Sequence, residues 1–178
     1  MPAPQHGDEG GRAGGRLARF TIPGPPVSKL RARSFIDSRT GGIGHFTPKK
    51  TVDFEHLVRT IARINYRGAP VQWQIALVVI QLYHTPASWS KSRRDRALSG
   101  SSLHTVKPDE DNVTKAVKDG LSKIVYCDDA QVSLTVSLKR YSRVERTIVL
   151  VYDATEALMV FDAIAAVVRP FLTGPADG

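Results

Sequence analysis

The chain has 178 residues, of which 25 are Lys or Arg and 17 are Asp or Glu, for a formal net charge of +8. This length predicts one domain with its own core, and the positive surplus favours a polyanionic partner. Hydrophobic residues make up 42% of the sequence, which excludes a wholly disordered chain. The single cysteine, Cys127, excludes an internal disulfide and a cysteine-based zinc site, and is typical of a reducing compartment.

The sequence contains no candidate membrane span or signal peptide. The longest apolar stretch, 157–168, is interrupted by Asp162 and is shorter than the ~20 residues that a bilayer requires. Residues 1–18 carry charges and glycines where a signal peptide needs an apolar segment. We therefore expect a flexible N-terminal arm over 1–18 and a cytoplasmic protein with no membrane partner.

The first predicted element is a short strand over Arg19–Ile22, which ends at Pro23 because proline supplies no N–H to a ladder. A proline-rich loop follows, in which Lys29, Arg31 and Arg33 occupy every second position. In an extended chain this spacing places three cations on one side. The pattern is typical both of a solvated loop and of a loop that follows phosphates.

A helix is predicted over Lys50–Tyr66, with an apolar face formed by Phe54, Leu57, Val58, Ile61 and Ile64. Its other face carries three arginines at intervals of four, namely Arg59, Arg63 and Arg67. Such a row is typical of a solvated face, but like charges four apart repel each other in an isolated helix. The uncompensated row therefore favours a phosphate contact.

The segment 71–84 predicts a central strand, because its middle is apolar on both faces. A short basic helix over Ser88–Leu98 has Ser88 or Ser90 as its N-cap. Alternation predicts a strand over 131–140, and 147–152 is expected to run antiparallel to it through a turn at 142–143. The fold class is therefore α/β or α+β: a compact domain over 19–169 with a mixed sheet and flanking helices, followed by a flexible tail over 170–178.

The closing element is predicted to be a helix over 154–169, with Leu158, Phe161, Ile164, Ala165 and Val168 on one face. We expect this face to pack onto the domain's own sheet. The alternative is that Leu158, Phe161 and Val168 form the interface between two copies of the chain.

Acidic residues gather at the start of another amphipathic helix, predicted over 112–122. Asp111 is its expected N-cap, and Pro108 and Asp109 lie just upstream. Asp111, Lys115 and Asp119 are four apart and share the polar face, which places the Lys115 ammonium near the Asp111 carboxylate.

A second acidic pair, Asp128 and Asp129, directly precedes the strand over 131–140. If that strand packs beside the helix, Asp109, Asp111 and Asp129 converge, and such a cluster repels itself unless a cation occupies it. Carboxylates without histidine or thiolate favour Mg²⁺, or Mn²⁺ as a substitute. Such a metal activates water for phosphodiester hydrolysis, with Lys115 stabilising charge on the phosphoryl oxygens.

Simpler explanations exist for each part of this pattern. Carboxylates at a helix start often serve only to cap it and to complement its dipole, and Asp128-Asp129 is typical of a turn. An EF-hand beginning at Asp109 fails, because Thr114 stands where it needs glycine and Gly120 where it needs an acid. The histidines at 6, 45, 56, 84 and 104 have no metal-ligand spacing.

The run KPDEDNVTKAVKDGLSKIVYCDDAQ resembles the RusA family of Holliday-junction resolvases, whose hallmark is a D-x-D-N-x-x-K helix start followed by a D-D-x-Q strand. FTIPGPPVSK is similar to the family's opening strand and Pro-Pro loop, and SWSKSRRDRALSG to a variant of phage-type members. The resemblance covers roughly Phe20–Tyr152. It implies a homodimer in a bacterial or phage-infected cell that needs Mg²⁺ or Mn²⁺ and nicks opposed strands of a four-way DNA junction in recombination and repair.

The same resemblance implies specific roles. Asp109 and Asp111 match the acidic metal ligands, Asp129 the catalytic aspartate and Lys115 the essential lysine; Asp128 is either a further ligand or a partner of one. The DNA backbone is then expected to lie on six cations, Lys29, Arg31, Arg33, Arg59, Arg63 and Arg67. Two other hypotheses remain, a nuclease for forks or flaps and a non-catalytic DNA-binding protein whose carboxylates only cap a helix.

Overall fold

The computed structural model describes residues 15–36, 38–39, 41–155 and 157–173. Its elements, in chain order, are β1 (Arg16–Pro23), β2 (Arg33–Ile36), β3 (Ile43–Phe46), α1 (Lys49–Asn65), β4 (Ile75–His84), α2 (Lys91–Leu98), α3 (Glu110–Leu121), β5 (Val132–Ser142), β6 (Arg146–Asp153) and α4 (Ala157–Thr173). The mixed content confirms the predicted α/β class. β1 and α4 extend beyond the predicted domain limits of 19 and 169, and the rest of the predicted arm and tail, 1–14 and 174–178, lies outside the described residues.

The main sheet has four strands in the order β1-β6-β4-β5, with β4 parallel to β5 and antiparallel to β6. β4 is buried from Ile75 to Tyr83, as its apolar sequence predicts for a strand covered on both faces. β5 is an edge strand, and its exposure alternates with its sequence from Val132 to Val136, after which it is half-buried and then buried.

The expected hairpin between β5 and β6 is wrong. The two strands do run in opposite directions, but both hydrogen-bond to β4, which lies between them. Alternation of polar and apolar residues indicates which face a side chain takes, and it does not indicate which strand is its neighbour. The most apolar strand takes the interior position, because there it is covered on both faces and paired on both edges.

Helices cover both faces of the sheet and create two separate cores. On one face, α1 and α3 pack through residues such as Phe54, Val58 and Val117 against Leu77 and Val149. On the other, α4 packs against residues that include Ile80 and Leu150. In the described part of the chain, no helix is long and apolar enough to cross a membrane.

Two details of the predicted helix faces are wrong. In α1, Ala62 is buried and Ile64 is 59% exposed. The buried face of α1, which packs against α3, therefore includes Ala62 and not Ile64. In α4, Val160 and Ile164 are buried, and Phe161, which was predicted to face inward, is 54% exposed. α4 therefore packs onto its own sheet, as expected. Ile164 and Val168 of the predicted face pack there together with Val160, whereas Phe161 does not.

α1 and α3 approach each other closely at Gly120. A Cβ at this position would lie 2.6 Å from both Cβ and Cγ1 of Val58 and 3.1 Å from the Glu55 carbonyl oxygen. Carbon atoms normally meet at about 3.5–4.0 Å. Glycine therefore allows α3 to lie against α1 at this separation.

Candidate nuclease site

The start of α3 differs from the prediction in its cap. The helix begins at Glu110 with Asp109 at the N-cap, so Asp111 lies in the first turn and is not the cap that we expected. The Asp109 side chain makes no capping hydrogen bond. The capping explanation therefore does not account for either aspartate, although the helix dipole favours negative charge at this end.

Asp129 opens a short 3₁₀ turn, Asp129–Gln131, that leads into β5. The Asp128 carboxylate accepts a hydrogen bond from the Ala130 N–H at 2.9 Å, and this bond is the main cause of the lowered pKa of Asp128. Gln131 Nε2 donates to the Val71 and Trp73 carbonyls at 2.9 and 3.0 Å, which ties the turn to the segment before β4. Asp128 thus shapes the turn that presents Asp129.

Three of the four predicted catalytic residues, Asp111, Lys115 and Asp129, line one open cleft of about 620 Å³ between α3 and β5. Asp111 and Lys115 come from α3, and Asp129 comes from the 3₁₀ turn. The remaining lining residues are Glu110, Thr114, Lys118, Thr135 and Ser137. Three carboxylates, two ammonium groups and three hydroxyls therefore belong to the residues that line one cleft.

Asp109 lines an adjoining cleft of about 720 Å³, which it shares with Asp111. Basic residues of three segments border this second cleft: Lys29, Arg31, Lys50 and Lys107. In the described part of the chain, no three His, Cys, Asp or Glu side chains are placed to hold one ion together. Asp109, Asp111 and Asp129 therefore do not converge on one point as expected. Asp111 and Asp129 share a cleft, and Asp109 lines the adjoining cleft.

The donor set of the cleft suits a hard divalent cation. Asp111 and Asp129 offer carboxylate oxygens, and Thr135 and Ser137 offer hydroxyls. Oxygen-only donors favour Mg²⁺ and Mn²⁺ over zinc. These residues have the chemistry to bind such an ion, because the Asp111 and Asp129 carboxylates line the cleft and Asp109 lines the adjoining one.

A buried polar network, which the sequence did not predict, holds the start of α3 on the sheet. Gln81, fully buried in β4, donates from Nε2 to the Glu110 carbonyl at 3.0 Å and to Ser137 Oγ at 3.1 Å. The Tyr83 hydroxyl donates to Gln81 Oε1 at 2.9 Å, and burial raises the pKa of Tyr83. The signal in the sequence was one amide in the otherwise apolar run IALVVIQLY.

A lysine on β5 fixes the loop that leads into α3. Lys139 Nζ donates to the Val106 carbonyl at 2.6 Å and to the Pro108 carbonyl at 2.7 Å. The Lys107–Pro108 peptide between them is cis. Lys139 therefore ties the backbone on the N-terminal side of Asp109 to the edge strand of the sheet.

The six predicted DNA-binding cations have different surroundings. The Lys29 ammonium forms ion pairs with Asp119 of α3 and, at 3.5 Å, with Glu55 of α1. Burial opposes its charge, but the bond and charge of Asp119, with Glu55, outweigh burial and raise the pKa of Lys29. Lys29 therefore joins the loop to both helices, and the Asp119 carboxylate pairs with Lys29 and does not line the cleft.

The arginines are also separated. α1 ends at Asn65 and the backbone of Tyr66 is extended, so Arg67 lies beyond the helix and cannot continue the predicted row. Arg63 is exposed and Arg59 is half-buried. Arg33 lies on β2, and Arg31 borders the Asp109 cleft. Of the six, Arg31 has the clearest structural link to the candidate site.

The fold is a mixed-sheet α/β domain with an acidic cleft that also contains lysine. Residues 23–152 match the family model "Endodeoxyribonuclease RusA", and the chain belongs to this family. It is also 33% identical over 140 residues to the uncharacterised protein YqaN of Bacillus subtilis strain 168, covering 77% of this chain and 96% of YqaN. The family indicates an endodeoxyribonuclease, and the predicted membership is confirmed.

Proposed function

We propose that the protein is a Mg²⁺-dependent endodeoxyribonuclease that resolves four-way DNA junctions by paired nicks. The observation that supports this most directly is the meeting of Asp111, Lys115 and Asp129 in one cleft of a RusA-family chain. Mn²⁺ is the expected substitute for Mg²⁺. In this proposal the two aspartates, with Asp109 beside them, hold the metal, and Asp128 acts indirectly by shaping the Asp129 turn.

When held by the aspartates, a divalent metal would supply an acidified water and stabilise charge at phosphorus. The residues of the chain position the DNA around it. The Lys115 ammonium faces the same cleft and counters negative charge on the phosphoryl oxygens of the bound strand. Arg31, Lys50 and Lys107 border the adjoining cleft and hold neighbouring phosphates through charge, without reading sequence.

Two copies of the chain are expected to act together. Paired incisions on opposed strands are related by the two-fold axis of a junction, and each chain provides one cleft. A C2 homodimer supplies the matching pair. We expect the protein to sediment as a dimer and to release two nicked duplexes from one junction.

The central test compares Asp111→Asn with Asp53→Asn. Asp53 is an exposed residue of α1 that pairs with Lys49, so the control removes the same charge away from the cleft. We expect Asp111→Asn to bind a four-way junction with wild-type affinity and to lose nicking by at least about a hundredfold, as for loss of one group that stabilises a transition state. Asp53→Asn should nick normally. Wild-type nicking by Asp111→Asn with Mg²⁺ would refute the assignment.

Substrate choice is tested on a mobile four-way junction, a replication fork, a flap and plain duplex at equal salt, each with and without EDTA. Symmetric nicking of the junction that EDTA abolishes is the expected result. Faster cleavage of forks or flaps would favour the branched-DNA nuclease. Binding without cleavage, unchanged by EDTA, would favour the non-catalytic DNA-binding protein.

A further inference from the structure

The basic helix α2 is not part of either acidic cleft. Its eight residues, KSRRDRAL, contain four cations and one carboxylate. Ser90 caps the helix and accepts a hydrogen bond from the Arg93 N–H at 3.4 Å. α2 packs at the far end of β5 from Asp129, so it extends the charged surface away from the site.

A small cavity of about 260 Å³ lies between α2 and the segment that follows it. Its lining consists of two guanidinium groups and two hydroxyl groups, from Arg93, Arg96, Ser101 and Ser102. In the described part of the chain, neither arginine has a carboxylate within ion-pair distance. The cavity is thus lined by hydrogen-bond donors with uncompensated positive charge.

A contact with an aromatic ring restrains Arg93 before any ligand binds. Its guanidinium carbon lies 3.8 Å from the centroid of the Trp89 ring, and Trp89 meets the buried Tyr141 edge-on at 5.0 Å. Stacking of this kind restrains a long side chain and leaves the guanidinium edge able to donate. Less conformational entropy is therefore lost when Arg93 binds an anion.

The other wall is held by the turn after α2. The Ser99 N–H donates to the Asp95 carbonyl at 2.9 Å, and Gly100 has φ +90. A Cβ at Gly100 would lie 2.9 Å from Cζ of the buried Arg140. The turn therefore packs tightly on β5 and carries Ser101 and Ser102 to the cavity.

We propose that this cavity binds a phosphodiester group of the DNA outside the catalytic cleft, an inference that rests on the proposed function. A guanidinium fork and hydroxyl donors match phosphate oxygens. Arg140, which contacts the turn, is three residues after the cleft residue Ser137 on β5, or about 10 Å along the strand, and its side chain takes the opposite face of the sheet. The cavity therefore lies outside the catalytic cleft, where it would hold a different phosphate of the DNA.

The test compares two double variants with equal loss of charge, Arg93→Gln/Arg96→Gln in the cavity and Lys91→Gln/Arg94→Gln on the same helix. Junction affinity is measured in the Asp111→Asn chain without divalent metal, so that the result does not depend on nicking. We expect the cavity double to lose about tenfold or more and its salt slope to fall by about one. The control double should lose less than about threefold.

A second measurement locates the phosphate. Methylphosphonate replaces one DNA phosphate at a time and removes its charge. We expect one position, outside the cleft, to weaken binding of the parent chain and not of the cavity double. Ser101→Ala/Ser102→Ala, which keeps every charge, should reduce affinity modestly and weaken the dependence on the same position.

Equal losses in the two double variants, or a methylphosphonate profile that the cavity double leaves unchanged, would overturn the cavity proposal alone. Failure of every chain to bind DNA would overturn it together with the proposed function. Thermal melting of each variant checks that the fold is retained. A junction that binds through the cavity but is never nicked by wild type would overturn only the proposed function.

Discussion

Replacing Gly120 by alanine tests how closely α3 must lie against α1. The new Cβ would lie 2.6 Å from two atoms of Val58, which is 1% exposed, and 3.1 Å from a backbone oxygen. Neither contact can swing aside as the tip of a long side chain would. Overpacking of this kind costs about 1–3 kcal/mol, and alanine returns about 1 kcal/mol of helix propensity.

We expect the overpacking to exceed the propensity, with a net loss of up to about 2 kcal/mol in the free energy of unfolding. For a chain of this size each kcal/mol lowers Tm by about 2–4 °C. Denaturant unfolding at one fixed protein concentration measures the change. Because α3 carries Asp111 and Lys115, a displaced helix should also slow nicking without a large change in DNA affinity.

The matched control is Val58→Ala combined with Gly120→Ala. Val58→Ala alone leaves a cavity and costs stability. In the double variant it removes Cγ1, one of the two Val58 atoms that lie 2.6 Å from the new Cβ, but it keeps the Cβ at that position. The double variant should therefore be more stable than the sum of the two single changes by about 0.5–1 kcal/mol. A Gly120→Ala chain that is more stable than wild type would show that the helices are not in close contact here.

Other variants test the remaining contacts. Lys29→Gln should lower the free energy of unfolding by about 1–2 kcal/mol, a value between those of an exposed and a buried ion pair. Arg31→Gln should instead weaken DNA binding. Loss of DNA binding in Lys29→Gln and loss of stability in Arg31→Gln would contradict the assigned roles. Because the pKa of Lys29 in the folded chain is raised above 10.5, the stability that its ion pairs contribute is complete below pH 10.5 and is lost as pH rises through that raised pKa. Alkaline unfolding of wild type and of Lys29→Gln measures this loss. Burial first, and then the Lys139 charge, lower the pKa of His104 to about 4, so the free energy of unfolding should fall as pH drops from 6.5 towards 4. His104→Phe keeps the stacking on Tyr83 and should remove this acid dependence. An unchanged pH profile of stability in that variant would refute the role of His104. Lys115→Gln should slow nicking strongly with little loss of junction affinity, and equal losses in both would make it a binding residue only.

The chemistry of the site follows from the sequence because it depends on local spacing. Asp111 and Lys115 are four residues apart, so any helix through them places both on one side. The central position of β4 follows in the same way from an apolar run that only a covered strand can bury. Periodicity reports local geometry, and local geometry was sufficient for these predictions.

The tertiary structure decided which distant groups meet. Lys29 has the spacing of a phosphate-binding residue, but its ammonium lies between Glu55 and Asp119, which no local pattern relates to it. Asp109 is two residues from Asp111, yet the turn into α3 directs it to the neighbouring cleft. The insertion of β4 between β5 and β6 and the approach of α1 at Gly120 likewise result from packing between segments far apart in sequence, whose energies no periodicity records.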